Sequence, residues 1–213
     1  MAAYDLEEQE QLATLKAWWK ENGNLVMTTV SMVLILFAAW QAWNYYQRNQ
    51  AAGASALYDA VQKGASVNDL KLVRESTGAV LEQYPRTTYA AMAALVSAKA
   101  HFQGGDLKTA HAQLAWVVEN AKDEAFQDIA RLRLASVMLD EKAYDDALKV
   151  LDAKHGAAFD APFLTTRGDV LLAQGKKEDA GKAYKAALDK VDAKDGAQRG
   201  WIQLRLDALG MAK

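Results

Sequence analysis

Gln103-Gly104-Gly105-Asp106-Leu107-Lys108-Thr109-Ala110 reads as the tight turn of a helical hairpin, with a glycine pair to break one helix and an alanine opening the next apolar one. Two further stretches repeat the pattern, Asp140-Glu141-Lys142-Ala143-Tyr144-Asp145-Asp146-Ala147 and Ala173-Gln174-Gly175-Lys176-Lys177-Glu178-Asp179-Ala180. Their closing alanines stand 37 and then 33 positions apart, which brackets the roughly 34-residue period of one family of two-helix repeats. Small residues also stand twelve positions upstream of each, at Ala98, Ala135 and Gly168, where two helices must approach closely for their ridges to interdigitate.

An earlier, degenerate unit fits the same frame. Val61 and Val73 take its two small-residue positions, and Pro85 falls where such a unit ends. Four helix pairs are therefore expected at approximately 52–85, 86–121, 123–156 and 158–191. A terminal helix near 197–210 follows, with Trp201, Leu204 and Leu206 expected to cover the last open face. One helix of the third pair is expected to end early, at Gly156, with Lys154 in place of the usual small residue. The period is that of tetratricopeptide units. Only Pro85 and Pro162 interrupt a composition dominated by Ala, Leu, Lys, Asp and Glu, which favours helices over strands. The expected fold class is all-α: a single N-terminal transmembrane helix followed by a tetratricopeptide-like α-solenoid with a C-terminal capping helix.

The span rests on a local anomaly. No charged residue occurs from Asn22 to Gln47, a stretch that would extend about 39 Å as a helix, enough for a hydrocarbon core of about 30 Å. Trp18, Trp19 and Lys20 flank it on one side and Trp40, Trp43, Tyr45, Tyr46 and Arg48 on the other, the amphipathic belt of a membrane interface. The run Ala51-Ala52-Gly53-Ala54-Ser55-Ala56 resembles a signal cleavage site, but the apolar region is too long and its leader too acidic for a signal peptide. A retained anchor in the lipid bilayer is expected. Lys16, Lys20 and the amino terminus outweigh Arg48 and Lys63, placing the N-terminus in the cytoplasm. The expected partition is a cytoplasmic arm at 1–21, a span at 22–47 and a translocated repeat domain at 48–213.

Composition excludes several functions. The chain has no Cys, which removes thiol catalysis, thiolate zinc sites and disulfide scaffolds. Its net charge is −2, and the five acids and three bases of the first 48 residues account for that excess, leaving the remainder neutral. No nucleic-acid partner is expected of such a surface. His101, His111 and His155 are the only histidines and none lies in an HExxH pattern, so no metal site is expected. No phosphate loop or nucleophile elbow occurs. The acid pairs Asp145-Asp146 and Glu178-Asp179 are expected to offset helix dipoles and cap open amides rather than to catalyse. Neither enzyme activity nor a cofactor is expected.

What remains is surface. In helical-repeat arrays the inward positions of each first helix line a concave face, which here comprises Tyr58 and Gln62, then Leu95, Lys99, Phe102 and Gln103, then Leu132, Ser136, Leu139 and Asp140, then Thr165, Asp169 and Leu172. Such an apolar groove with few charges suits extended or helical peptide segments. For each of the leucines, packing between repeats is an equal alternative. On the span, Ala38, Ala39 and Ala42 form one small-residue side where another helix can approach.

Taken together, Leu15-Lys16-Ala17-Trp18-Trp19-Lys20-Glu21-Asn22-Gly23, the single span, and the runs Arg131-Leu132-Arg133-Leu134-Ala135 and Arg167-Gly168-Asp169-Val170-Leu171-Leu172-Ala173-Gln174-Gly175 resemble the family of ancillary subunits of the bacterial SecYEG translocon over nearly the whole chain. The soluble half is also similar to the repeat domain of a periplasmic cell-division coordinator. The translocon resemblance implies a non-enzymatic inner-membrane protein with a periplasmic repeat domain. Its implied partners are the SecYEG translocon, a membrane-anchored periplasmic chaperone, and unfolded secreted or outer-membrane proteins. The alternative expectation is a membrane-anchored regulator whose N-terminal arm, with Glu7, Glu8 and Glu10, restrains a cytoplasmic stress-response protein.

Overall fold

Nine α-helices and no strand form among the described residues of the computed structural model, which are 2–210, with side chains from residue 7 onward. Met1 of the expected arm and residues 211–213 of the expected repeat domain lie outside them. The helices are α1 (Ala2–Ser66), α2 (Leu70–Gln83), α3 (Thr88–Gln103), α4 (Leu107–Asn120), α5 (Glu124–Asp140), α6 (Tyr144–Leu151), α7 (Asp160–Ala173), α8 (Lys177–Lys190) and α9 (Gly196–Ala208). The chain divides into two compact units, Met1–Asn49 and Gln50–Lys213, and the division falls within α1. The first repeat thus has no separate first helix beginning at 52: α1 continues through Arg48-Asn49-Gln50 and past Gly53, with no proline before Pro85 to end it.

In the second unit all four hairpin turns share one device. Asn68, Gly105, Lys142 and Gly175 each adopt a left-handed φ, of 56°, 80°, 62° and 80°. The following amide then reaches back along the helix: Asp69 N to Gly64 O at 2.8 Å, Asp106 N to His101 O at 2.9 Å, Ala143 N to Met138 O at 2.8 Å and Lys176 N to Leu171 O at 2.9 Å. These bonds satisfy carbonyls that a helix end leaves open. Glycine takes this conformation freely and Asn readily, while Lys142 carries a steric cost of roughly 1–2 kcal/mol. The degenerate first repeat lacks a glycine at this point and makes the same turn with Asn68.

The helix starts differ between repeats. Asp69 Oδ1 accepts from Leu72 N and Asp106 Oδ1 from Thr109 N, both at 3.0 Å, whereas Ala143 and Lys176 give α6 and α8 no side-chain cap. The acid pairs Asp145-Asp146 and Glu178-Asp179 occupy the first turn as expected, but they do not cap. They lie beyond the N-cap position, and Asp146 binds Lys149 at 2.8 Å while Asp179 binds Lys182 at 3.0 Å.

Packing follows the small-residue frame. Ala98 and Ala135 are buried, Ala110, Ala147 and Ala180 are wholly so, and Val61 and Val73 match them in the first repeat. Gly168 marks a tight crossing, since a Cβ there would overlap the Tyr184 ring. Three apolar clusters result. Val61, Val73, Val80 and Ala90 fill the first; Leu114, Ala130, Leu134, Leu151 and Phe163 the second; Tyr184, Ala187, Ile202 and Leu206 the third.

Two expectations need correcting here. The last face is covered by Ile202 and Leu206, each 2% exposed, while Trp201 and Leu204 are 66% and 60% exposed. The buried face of α9 follows the helical spacing Ile202, Leu206, Leu209, which Trp201 misses by one residue. The second helix of the third pair ends at Leu151 rather than Gly156. The Asp128 carboxylate, 2% exposed, accepts from Gly156 N at 2.9 Å and from Arg131 at 2.8 Å. His155 stacks on Phe163 with ring centroids 3.9 Å apart. These anchors hold residues 152–156 out of helix, ahead of a single 3-10 turn at Ala157–Phe159 that leads into α7.

Candidate functional site

The small residues that let the helices pack also leave room on one side of them. Between α3 and α5 lies a cavity of about 310 Å³, lined by Ala98, Lys99, Phe102, Leu114, Arg133, Ser136 and Val137. Its floor is apolar, because Ala98, Leu114 and Val137 are all buried. Beside it, α5, α7 and α9 enclose a cleft of about 560 Å³. Leu132, Arg133 and Ser136 form one wall, Pro162, Thr165, Thr166 and Asp169 the second, and Gln198, Trp201, Ile202 and Arg205 the third. Arg133 and Ser136 line both, so the two depressions adjoin across α5 and make one trough.

The trough's charges are of two kinds. Asp169 is neutralised in place: Arg205 Nε donates to its Oδ1 at 2.8 Å and the Tyr184 hydroxyl donates to the same oxygen at 2.7 Å. Burial, together with that carboxylate, raises the Tyr184 phenol above its ordinary range, so the hydroxyl stays a donor. Asp169 also raises the Arg205 guanidinium. Lys99 and Arg133, by contrast, are exposed and form no ion pair among the described residues.

Of the residues expected on the concave face, Lys99, Phe102 and Ser136 line the cavity, and Leu132, Ser136, Thr165 and Asp169 line the cleft. The remainder line neither. Tyr58 is buried beside Tyr89, at 5.7 Å between ring centroids, with its hydroxyl accepting from Gln62 Nε2 at 2.8 Å. Leu95 is buried in the second cluster with Leu139 packed half-buried against it, and Leu172 packs half-buried against the third. Gln103 and Asp140 are exposed at the ends of α3 and α5. Sequence reasoning missed Arg133, Trp201 and Arg205. Arg133 adjoins the chosen Leu132, but the other two stand on α9, outside the repeat period.

In the first unit, the residues from Glu7 to Glu21 of α1 are exposed. The expected interface residues Trp18, Trp19, Lys20, Trp40, Trp43, Tyr45, Tyr46 and Arg48 are exposed as well. Successive aromatics lie side by side, with Trp43 and Tyr46 at 6.1 Å between ring centroids. The helix contains one stretch long and apolar enough to cross a membrane, none of it buried.

The histidines are dispersed. Nδ1 of His111 lies 2.9 Å from Glu141 Oε2. His155 Nδ1 faces the Ala153 carbonyl at 2.9 Å. His101 is wholly buried, with Nδ1 3.3 Å from Asp106 Oδ2 but misaligned for a hydrogen bond. Among the described residues no group of three or more His, Asp or Glu gathers in a way that suits a metal ion.

Comparison with known proteins fits this architecture. The profile of the tetratricopeptide repeat-like domain family matches residues 16–211. The ancillary SecYEG translocon subunit of Neisseria gonorrhoeae is 32% identical over 98% of this chain and all of its own length. Its namesakes from Haemophilus influenzae and Aggregatibacter actinomycetemcomitans are 31% and 30% identical, over 87% and 97% of this chain and 90% and 100% of theirs. With identity carried across the arm, the apolar stretch and all the repeats, the chain belongs to the family of ancillary SecYEG translocon subunits.

Proposed function

We propose that this protein is a non-enzymatic accessory subunit of the Sec translocon. The observation that carries the reading is the end-to-end likeness to ancillary SecYEG translocon subunits of a chain that joins one spanning-length apolar helix to a tetratricopeptide repeat-like domain. The span anchors the chain in the bacterial inner membrane, with the arm in the cytoplasm and the repeat domain in the periplasm. That orientation follows from the basic residues Lys16 and Lys20 ahead of the span. The mechanism is co-localisation: tethering raises the local concentration of the repeat domain where chains emerge, so even a weak groove is effective. The trough across α3, α5, α7 and α9 is where the domain engages newly translocated polypeptide or a membrane-anchored chaperone.

Quantitative co-purification from mildly solubilised membranes tests the reading. Translocon subunits should be recovered with the native chain, and recovery should drop when residues 24–46 are replaced by an unrelated spanning helix. Absence of translocon subunits from the native preparation would refute the assignment.

A further inference from the structure

Helical neighbours normally neutralise an exposed cation, and most of the arginines near the trough are neutralised: Arg131 by Asp128, Arg205 by Asp169, and Arg167 by Asp152. Lys99 and Arg133 differ by construction. The positions three and four residues either side of Lys99 hold Leu95, Val96, Phe102 and Gln103, and those around Arg133 hold Ile129, Ala130, Ser136 and Val137. Neither helix offers an acid to its own cation, and no other element supplies one among the described residues. Both side chains nevertheless line the same cavity, over the apolar floor of Ala98, Leu114 and Val137. Phe102, 39% exposed, supplies an aromatic wall.

At about 310 Å³ the cavity is at the small end of ligand pockets, sized for one large side chain rather than a whole molecule. An aromatic ring in it would pack against Phe102 and displace water from buried alanine, leucine and valine. The two cations at its lining would meet a negative charge carried by the adjoining residue of the same peptide. A free inorganic anion would gain nothing from the floor, and a metal cation would be repelled.

We propose that the α3–α5 cavity is a docking pocket for a polypeptide segment in which an acidic side chain adjoins an aromatic one, the ring entering the cavity and the carboxylate lying between Lys99 and Arg133. The proposal rests on the reading that the repeat domain engages polypeptide, and gives that engagement a sequence preference.

The test uses the full-length protein in lipid nanodiscs and fluorescence anisotropy with short peptides blocked at both ends. One carries Asp beside Phe, a second Asn beside Phe, and a third Lys beside Phe. The Asp peptide should bind roughly three- to tenfold more tightly than the Asn peptide, the range for a few charge contacts at a partly solvated site. The preference should fade as salt rises. Lys99→Gln with Arg133→Gln should abolish it, and Lys99→Glu with Arg133→Glu should transfer it to the Lys peptide. These residues are exposed, so the variants keep their fold. Equal affinity for the Asp and Asn peptides, or a preference that survives the double substitution, overturns the proposal. So does binding that requires a free terminal carboxylate. Missing Asp-over-Asn selectivity in the wild-type chain, with translocon recovery intact, therefore sinks this proposal alone, whereas failed recovery with the native chain sinks the broader reading.

Discussion

His101 is the one fully buried histidine, and its environment works against charging it. Burial lowers its pKa below the ordinary imidazole value near 6.5, and Arg74 pushes the same way, while the nearby Asp106 opposes both. A histidine with a depressed folded pKa binds its proton more readily in the unfolded chain, so stability falls as pH drops below about 6.5 and goes on falling until the folded pKa is passed. The carboxylates of Asp106, Asp146 and Asp160 are held below their ordinary value of 3.8, by hydrogen bonds from Thr109, Lys149 and Lys190 respectively. Their stabilisation is present above that value and is lost only in stronger acid. The interval from about pH 7 to pH 5 therefore lies above the titration of these carboxylates. Hydrogen exchange of α3 and α4 amides in the full-length protein should show opening free energies that decline with acid across this interval, by at most about 1.4 kcal/mol per pH unit for one proton. His101→Gln should flatten the decline, and a slope unchanged by that substitution would exclude His101 as its source.

The helical hairpin is the element on which the fold depends, and its turn chemistry is uneven. Lys142 performs the turn that Gly105 and Gly175 perform elsewhere, at a similar positive φ. Nothing lies within 4 Å of a Cβ built on Gly175, so the difference between the two residue types at this position is a backbone effect alone. Lys142→Gly should stabilise the third hairpin by about 0.5–1 kcal/mol, net of the extra freedom glycine gives the unfolded chain, and Gly175→Lys should cost the fourth a similar amount. Urea denaturation of the two variants, shifting in opposite directions, would confirm this, and shifts of the same sign would refute it. This unevenness also explains what could be read from sequence. The turns at 105 and 175 were legible because glycine announces them, and the turn at 142 through the alanine that follows it. The first turn is legible only through Val61, Val73 and Pro85, since Asn68 adopts the same conformation without the glycine that advertises it. The early end of α6 was misjudged because its cause is remote in sequence: Asp128 binds Gly156 across 28 residues. Spacing arguments register local periodicity and miss such a bond.

At the scale of the whole repeat domain, the period predicts which residues face a neighbouring repeat but not how far each repeat turns on the next. That turn decides whether an inward position is floor, wall or core. Tyr58, expected on the concave face, is core, and Leu95 takes the interior position that is the equal alternative for the leucines, while Trp201, expected in a covering face, is a wall of the cleft. The role of α9 is thus double. Its Ile202 and Leu206 close the third cluster over Tyr184 and Ala187, Arg199 donates to the Leu188 and Val191 carbonyls at the end of α8, and Arg205 holds Asp169 on α7. In a stacked array each repeat is stabilised chiefly by its neighbours, so loss of the terminal helix should act locally. Burial of Ile202 and Leu206 contributes about 3–6 kcal/mol in total. A chain ending at Lys194 should therefore lose amide protection throughout α7 and α8, while α3, α4 and α5, which share the second cluster, retain theirs. Ile202→Ala should produce a milder form of the same gradient, decreasing from α8 toward α5. Uniform loss along the domain would instead show that the repeats fold as one indivisible cooperative unit, and that α9 stabilises the array as a whole rather than its last pair.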